Sequence, residues 1–320
     1  MADDGSPGGA PGRMRIGLNA SSLVVQGASI DAYVAHARAA EADGFSSWWM
    51  AQLAAPDALT TLGVVGRETA AIELGTAVVP TWFRHPLMLA GQALTTQEMA
   101  GGRLALGLGL AHKAPIEATL RVPFDRPARH MDEYLAVLLP ALAERRVHAE
   151  GEIWSGVTDG LGGAPADPPS VLLAAMGPRM LALAGSRTDG VVLWLSGPRT
   201  IESYLRPALE AAATEAGRPG PRVVASVPLC VTDEPDRVRE LISVLLAGYD
   251  DLPSYKGVMD REGVDGPAGV SIVGDEDEVR AGIRRFADAG TTDFAPVELV
   301  TNPDETSRTR ALLKDVAAHG

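Results

Sequence analysis

The chain predicts a closed α/β fold, a (β/α)8 TIM barrel with insertion segments, on three observations. Short apolar runs alternate with amphipathic helical patterns along almost the whole sequence. The runs are near-continuously apolar rather than alternating, as expected of parallel strands covered on both faces. Eight such strand–helix units follow one another with no linker or break in composition, which favours one closed barrel over an open sheet.

The elements follow in order. Arg15–Leu18 reads as the first strand, and Ile30–Asp43 as an amphipathic helix ended by Gly44. Ser46–Ala51 is the second strand, Ala58–Thr69 a helix, and Glu73–Val79 the third strand. Pro86–Met99 is a helix with proline in its first turn, where the missing N–H costs nothing. Leu104–Leu110 is the fourth strand and Pro127–Ala143 the next helix. A small hairpin is expected around Val147–Trp154, and Gly156–Pro169 reads as a loop. Val171–Ala175, Gly190–Leu195, Arg222–Val231 and Asp293–Val297 are the remaining strands. Their helices are Pro178–Ser186, Thr200–Ala216, Asp236–Leu246, Asp275–Ala289 and Ser307–Ala317. Asp250–Ile272 reads as irregular. Residues 1–13, rich in Gly and Pro, are expected to form a flexible tail before a single barrel domain over residues 14–320.

The net charge of −13 argues against a broad nucleic-acid surface, which needs clustered Lys and Arg. No apolar run approaches the ~20 residues that span a bilayer. Cys230, the only cysteine, lies in an apolar run and reads as a small buried core thiol. With no secretory signal visible, a cytoplasmic location is expected.

Barrels carry their chemistry at the C-terminal ends of the strands. Gly107-Leu108-Gly109 lies inside the fourth strand, so it is not a dinucleotide fingerprint, whose glycines occupy the turn after the strand. Strand glycines mark close approach by another group, a ligand or a bulge. Met176-Gly177-Pro178-Arg179 follows the fifth strand and opens a helix, with Ala175, Met176, Gly177 and Arg179 as backbone donors. Ser196-Gly197-Pro198-Arg199 does the same after the sixth strand. Two such turns cradle a phosphate, or are ordinary strand-to-helix connections. His112 ends the fourth strand and is either a structural group or a proton handler. His85 caps a helix or faces the mouth, and His130 reads as structural. Trp82 and Phe83, near the end of the third strand, pack the loops or wall a substrate pocket. No His-Glu-x-x-His pattern or Gly-x-Ser-x-Gly elbow is present, so neither a dedicated metal site nor an α/β-hydrolase is expected.

Six segments in this order and spacing resemble the bacterial luciferase-like superfamily, and within it the branch that uses the deazaflavin coenzyme F420. They are residues 44–50 (GFSSWWM), 73–80 (ELGTAVVP), 84–90 (RHPLMLA), 101–109 (GGRLALGLG), 124–135 (FDRPARHMDEYL) and 174–185 (AAMGPRMLALAG). The resemblance implies a non-prolyl cis peptide at Ala77-Val78, with Val78 behind the cofactor ring and Gly107 and Gly109 leaving room for it. It implies a phosphate site at Ala175, Met176, Gly177, Ser196 and Gly197, with Arg199 adjacent, and a proton handler at His112. Relatives carry Asp-His where this chain has Gln52-Leu53; Gln52 can hydrogen-bond to ring or substrate but is neither acid nor base. A lysine used by some relatives near the phosphate falls at Pro198. The substrate pocket is expected to include Trp82, Phe83 and Tyr255.

The implied activity is hydride transfer between C5 of F420 and a small organic substrate, by a homodimer. An FMN-dependent monooxygenase and a non-catalytic cofactor-binding homologue are the alternatives.

Overall fold

A computed structural model describes residues 13–163 and 167–319. The expected tail, apart from Arg13, lies outside them. The Arg13 guanidinium donates to the carbonyls of Val316, Ala317 and Ala318, so this residue is tied to the C-terminal helix.

The main sheet is parallel throughout and has ten hydrogen-bonded segments. They make eight barrel strands, because the first and third are each interrupted. The first is Arg15–Ile16 with Leu18–Asn19, and the third is Glu73–Thr76 with Val79–Pro80. The others are Ser47–Met50, Leu104–Gly109, Ser170–Leu173, Gly190–Trp194, Arg222–Ser226 and Asp293–Phe294. The first strand closes the ring: Arg15 pairs in register with Asp293, and Leu18 with Trp48.

Trp49, Ala105, Leu172, Val192, Val224 and Ala295 form one buried cluster, with Ala77 and Val78 packed on it. Alternate strand residues such as Trp48, Leu74, Leu106 and Val191 belong to the larger core shared with the helices. This two-sided burial is what the continuously apolar runs demanded.

The N-terminal ends of the strands are cross-linked by charge. Arg222 donates to Glu73 (3.0 Å) and Asp293 (2.8 Å), and Arg15 reaches the same two carboxylates at 2.9 and 3.2 Å. Four strands are joined in this way at the N-terminal face of the barrel.

The helices Pro86–Met99 and Pro127–Ala143 start and stop where the sequence placed them. Four expectations need correction. The hairpin pairs Val147–Ala149 with Gly156–Thr158, so its second arm uses residues read as loop; residues 164–166 of that loop are outside the described set. The seventh run is two strands, because Pro228–Val231 leaves the barrel and pairs with Ile272–Gly274 and Val297–Glu298 in a separate parallel sheet. The eighth run divides likewise. Asp250–Ile272 is not irregular: it holds the helices Pro253–Glu262 and Pro267–Val270, each begun by a proline. Among the described residues no helix is long and apolar enough to cross a membrane.

Candidate active site

The third strand breaks at Ala77-Val78, whose peptide is cis, and resumes at Val79. The bulge sits against the fourth strand. A Cβ on Gly107 would lie 2.0 Å from the Thr76 carbonyl oxygen, and one on Gly109 would lie 2.4 Å from Val78 Cγ2. The two strand glycines therefore admit the bulge, and the cofactor space expected beside them is already filled by protein. Ala77 and Val78 are half-buried, so the bulge presents an apolar face at the barrel mouth.

At the end of the fourth strand, Trp154 Nε1–H donates to His130 Nδ1 (3.2 Å). That leaves the proton on Nε2, which donates to the Thr81 hydroxyl (2.9 Å), whose own hydrogen reaches the Gly109 carbonyl (3.3 Å). Every group in this chain is satisfied with the imidazole neutral. Burial holds His130 at a pKa of about 4, consistent with the structural reading. Trp82 lies tilted by 30° against this histidine with ring centres 3.7 Å apart and also packs on Phe124, while Phe83 is exposed. His85 caps its helix by accepting from Leu87 N–H at 3.2 Å.

His112 stands just past the fourth strand, half-buried, and its ring nitrogens make no hydrogen bond among the described residues. Burial holds its pKa below the usual histidine value. The structure brings it beside Tyr255, far away in sequence, with ring centres 5.7 Å apart, and beside Tyr249 at 6.0 Å. The helix Pro253–Glu262 thus lays an aromatic wall over this side of the mouth.

Gln52 is buried and its amide is engaged at both ends. Oε1 accepts from Ala58 N–H (3.1 Å) and Nε2 leans on Asp57 (3.4 Å). Asp57 caps the helix Ala58–Glu68 through Thr60 N–H, accepts from Gln92, and pairs with Arg84. The sequence reading missed this polar cluster, because its members come from three segments.

The two turns meet, with Ser196 Oγ 3.7 Å from Met176 Sδ. They differ in occupancy. Beyond the sixth strand the carboxylate of Glu262 accepts from Arg199 N–H (3.2 Å) and Thr200 N–H (2.8 Å), and a Cβ on Gly197 would strike it at 2.2 Å. Beyond the fifth strand the N–H groups of Ala175, Met176, Gly177 and Arg179 have no acceptor among the described residues, and no side chain caps that helix. Four neighbouring unpaired donors at a helix start suit a phosphate. Cys230 is fully buried, and burial pushes its thiol up to about 12, so it takes no part.

Residues 12–293 match the model of the luciferase-like monooxygenase family. The chain belongs to that family. Among relatives of this luciferase-like chain, a 5,10-methylenetetrahydromethanopterin reductase of Methanolobus tindarius is 28% identical over 249 residues, 75% of this chain and 74% of the relative. An F420-dependent glucose-6-phosphate dehydrogenase of Nakamurella multipartita is 29% identical over 254 residues, 74% of each. The coenzyme F420-dependent tetrahydromethanopterin reductase of Methanopyrus kandleri has the same fold at a TM-score of 0.78 and 23% identity, with 96% of this chain and 99% of that one covered. A type II Baeyer–Villiger monooxygenase of Pseudomonas putida in complex with FMN superposes at 0.73 with 18% identity, covering 95% and 96%. The luciferase-like barrel therefore occurs with both cofactors.

Proposed function

We propose that this luciferase-like enzyme is an F420-dependent oxidoreductase acting on a small organic substrate. The reading is supported by the relatives named for F420. The observation that carries it is the pairing of the apolar Ala77-Val78 bulge with the open donors of the fifth-strand turn. A flat ring needs the first and a phosphate needs the second.

When bound, the deazaflavin supplies hydride transfer at C5. The chain supplies position and proton management. Val78 backs the ring, while Ala175, Met176, Gly177 and Ser196 hold the phosphate by backbone N–H and hydroxyl donation. Gly197 and Arg199 stand at the turn that Glu262 occupies, and they contribute only where that carboxylate moves aside. His112, neutral at pH 7 and unpartnered, gives or takes a proton at an imidazole nitrogen. Tyr255 and Tyr249 hold its ring edge-on and keep water from one side. Gln52 acts through the bulge: it fixes the Asp57–Arg84 pair and donates its backbone N–H to the Val78 carbonyl at 3.3 Å. The proposal extends to a homodimer, and to a cytoplasmic location, with which a single buried thiol is compatible. The test is equilibrium binding of F420 and of FMN to the purified protein, followed by fluorescence.

The second reading, an FMN monooxygenase, is favoured by one observation: the fifth-strand turn alone suffices for a phosphate monoester. Saturable FMN binding with none of F420 establishes it.

A further inference from the structure

The open fifth-strand turn faces a cavity of 510 Å3 whose wall carries three arginines, Arg126, Arg129 and Arg179. The charges around it are unequal. Arg126 and Arg129 both hold the exposed Glu152. Arg129 also donates to Glu133 (2.7 Å), whose carboxylate accepts in addition from Ile153 and Trp154 N–H and is held at a pKa of about 2. Arg179 has neither an ion pair nor a side-chain hydrogen bond among the described residues. Three guanidiniums thus face two carboxylates, one of them saturated, in a chain of net charge −13.

The cavity adjoins the phosphate donors, and Leu110 and Met180 form its apolar part. A ligand lying over the mouth with its phosphate on the fifth-strand turn has one charged direction in which to continue. The sixth-strand side is closed by Glu262, which repels further anions. The fifth-strand side leads to the arginines. One phosphate is already served by the backbone donors, so the arginines answer to additional negative charge beyond it.

On the reading proposed above, we infer that this cavity binds the carboxylate-bearing chain that F420 carries beyond its phosphate, and that it selects F420 over FMN, whose side chain ends at the phosphate. Partly exposed arginine–carboxylate contacts are individually weak, so the combined effect is about 3- to 30-fold in affinity and falls with salt.

The experiment titrates the intact protein with F420 bearing several glutamyl residues, with the same deazaflavin phosphate lacking them, and with FMN, at low and raised salt. Fluorescence of the deazaflavin reports binding without turnover. The wild type binds the polyglutamyl form about 3- to 30-fold more tightly than the tail-less form. Arg126→Gln shrinks that ratio while affinity for the tail-less form holds, and Arg179→Gln, at the phosphate turn itself, shrinks it as well. Added salt shrinks it too. Equal affinity for the two deazaflavins in the wild type overturns this inference and leaves the cofactor reading standing, as does a ratio that survives in both variants. Failure of both deazaflavins to bind overturns the cofactor reading, and this inference with it.

Discussion

A Cβ placed on Gly109 would lie 2.4 Å from Cγ2 of Val78, nearer than nonbonded carbons approach. The residue expected to back the cofactor is therefore held in place by the absence of a side chain on the neighbouring strand. Gly109→Ala forces Val78 toward the mouth. Overpacking of this kind costs about 1–3 kcal/mol. The expected outcome is a lower urea midpoint together with weaker cofactor binding. Gly107→Ala, which meets the Thr76 carbonyl, is expected to be the more damaging of the two.

Asp57 caps one helix and pairs with a largely buried arginine. Asp57→Ala removes the cap and leaves Arg84 without its anion. Together these cost about 2–4 kcal/mol in chemical denaturation. Gln52→Ala loses the acceptor for Ala58 N–H and costs about 1–2 kcal/mol. With Gln52 acting only through the bulge, turnover at saturating substrate falls far less than in a His112 variant. A kcat loss as large as that of His112→Ala would put Gln52 in contact with the reacting atoms.

The His130 chain sets a pH dependence. The folded pKa of about 4 lies below the unfolded value of about 6.5, so the folded state binds fewer protons between them. This contribution is complete above pH 6.5 and is lost progressively as pH falls toward 4, by about 3 kcal/mol. Urea midpoints measured from pH 7 to pH 4 should show that slope, and His130→Gln should flatten it.

His112→Ala is expected to lower kcat by about 100- to 10,000-fold, the usual range for a general acid or base, with cofactor affinity little changed. Because burial depresses the His112 pKa, any acid limb that it sets in the rate profile lies below pH 6.5. Stopped-flow measurement of single turnovers with wild type and His112→Gln separates this step from product release.

Helices begun by a proline and lying between apolar runs, such as Pro86–Met99 and Pro127–Ala143, were legible because local chemistry fixes their ends. The strand order followed from alternation and the closure from counting. Helix Pro253–Glu262 was not legible: its residues are polar and short in period, and it is held by contacts of Tyr255 and Glu262 with distant turns. Glu262 at the sixth-strand turn and Arg84 beside Asp57 are pairings between remote segments that no local pattern encodes. Gly107 and Gly109 announced a close approach, and only the fold shows that the approaching group is the bulge.

On the reading proposed above, the bulge and the fifth-strand turn form a deazaflavin site. Equilibrium titration of the purified protein with F420 and with FMN, read by fluorescence, decides this. Saturable F420 binding, weakened in Gly109→Ala and much tighter than any binding of FMN, is the predicted result. Saturable FMN binding with no response to F420 would contradict it.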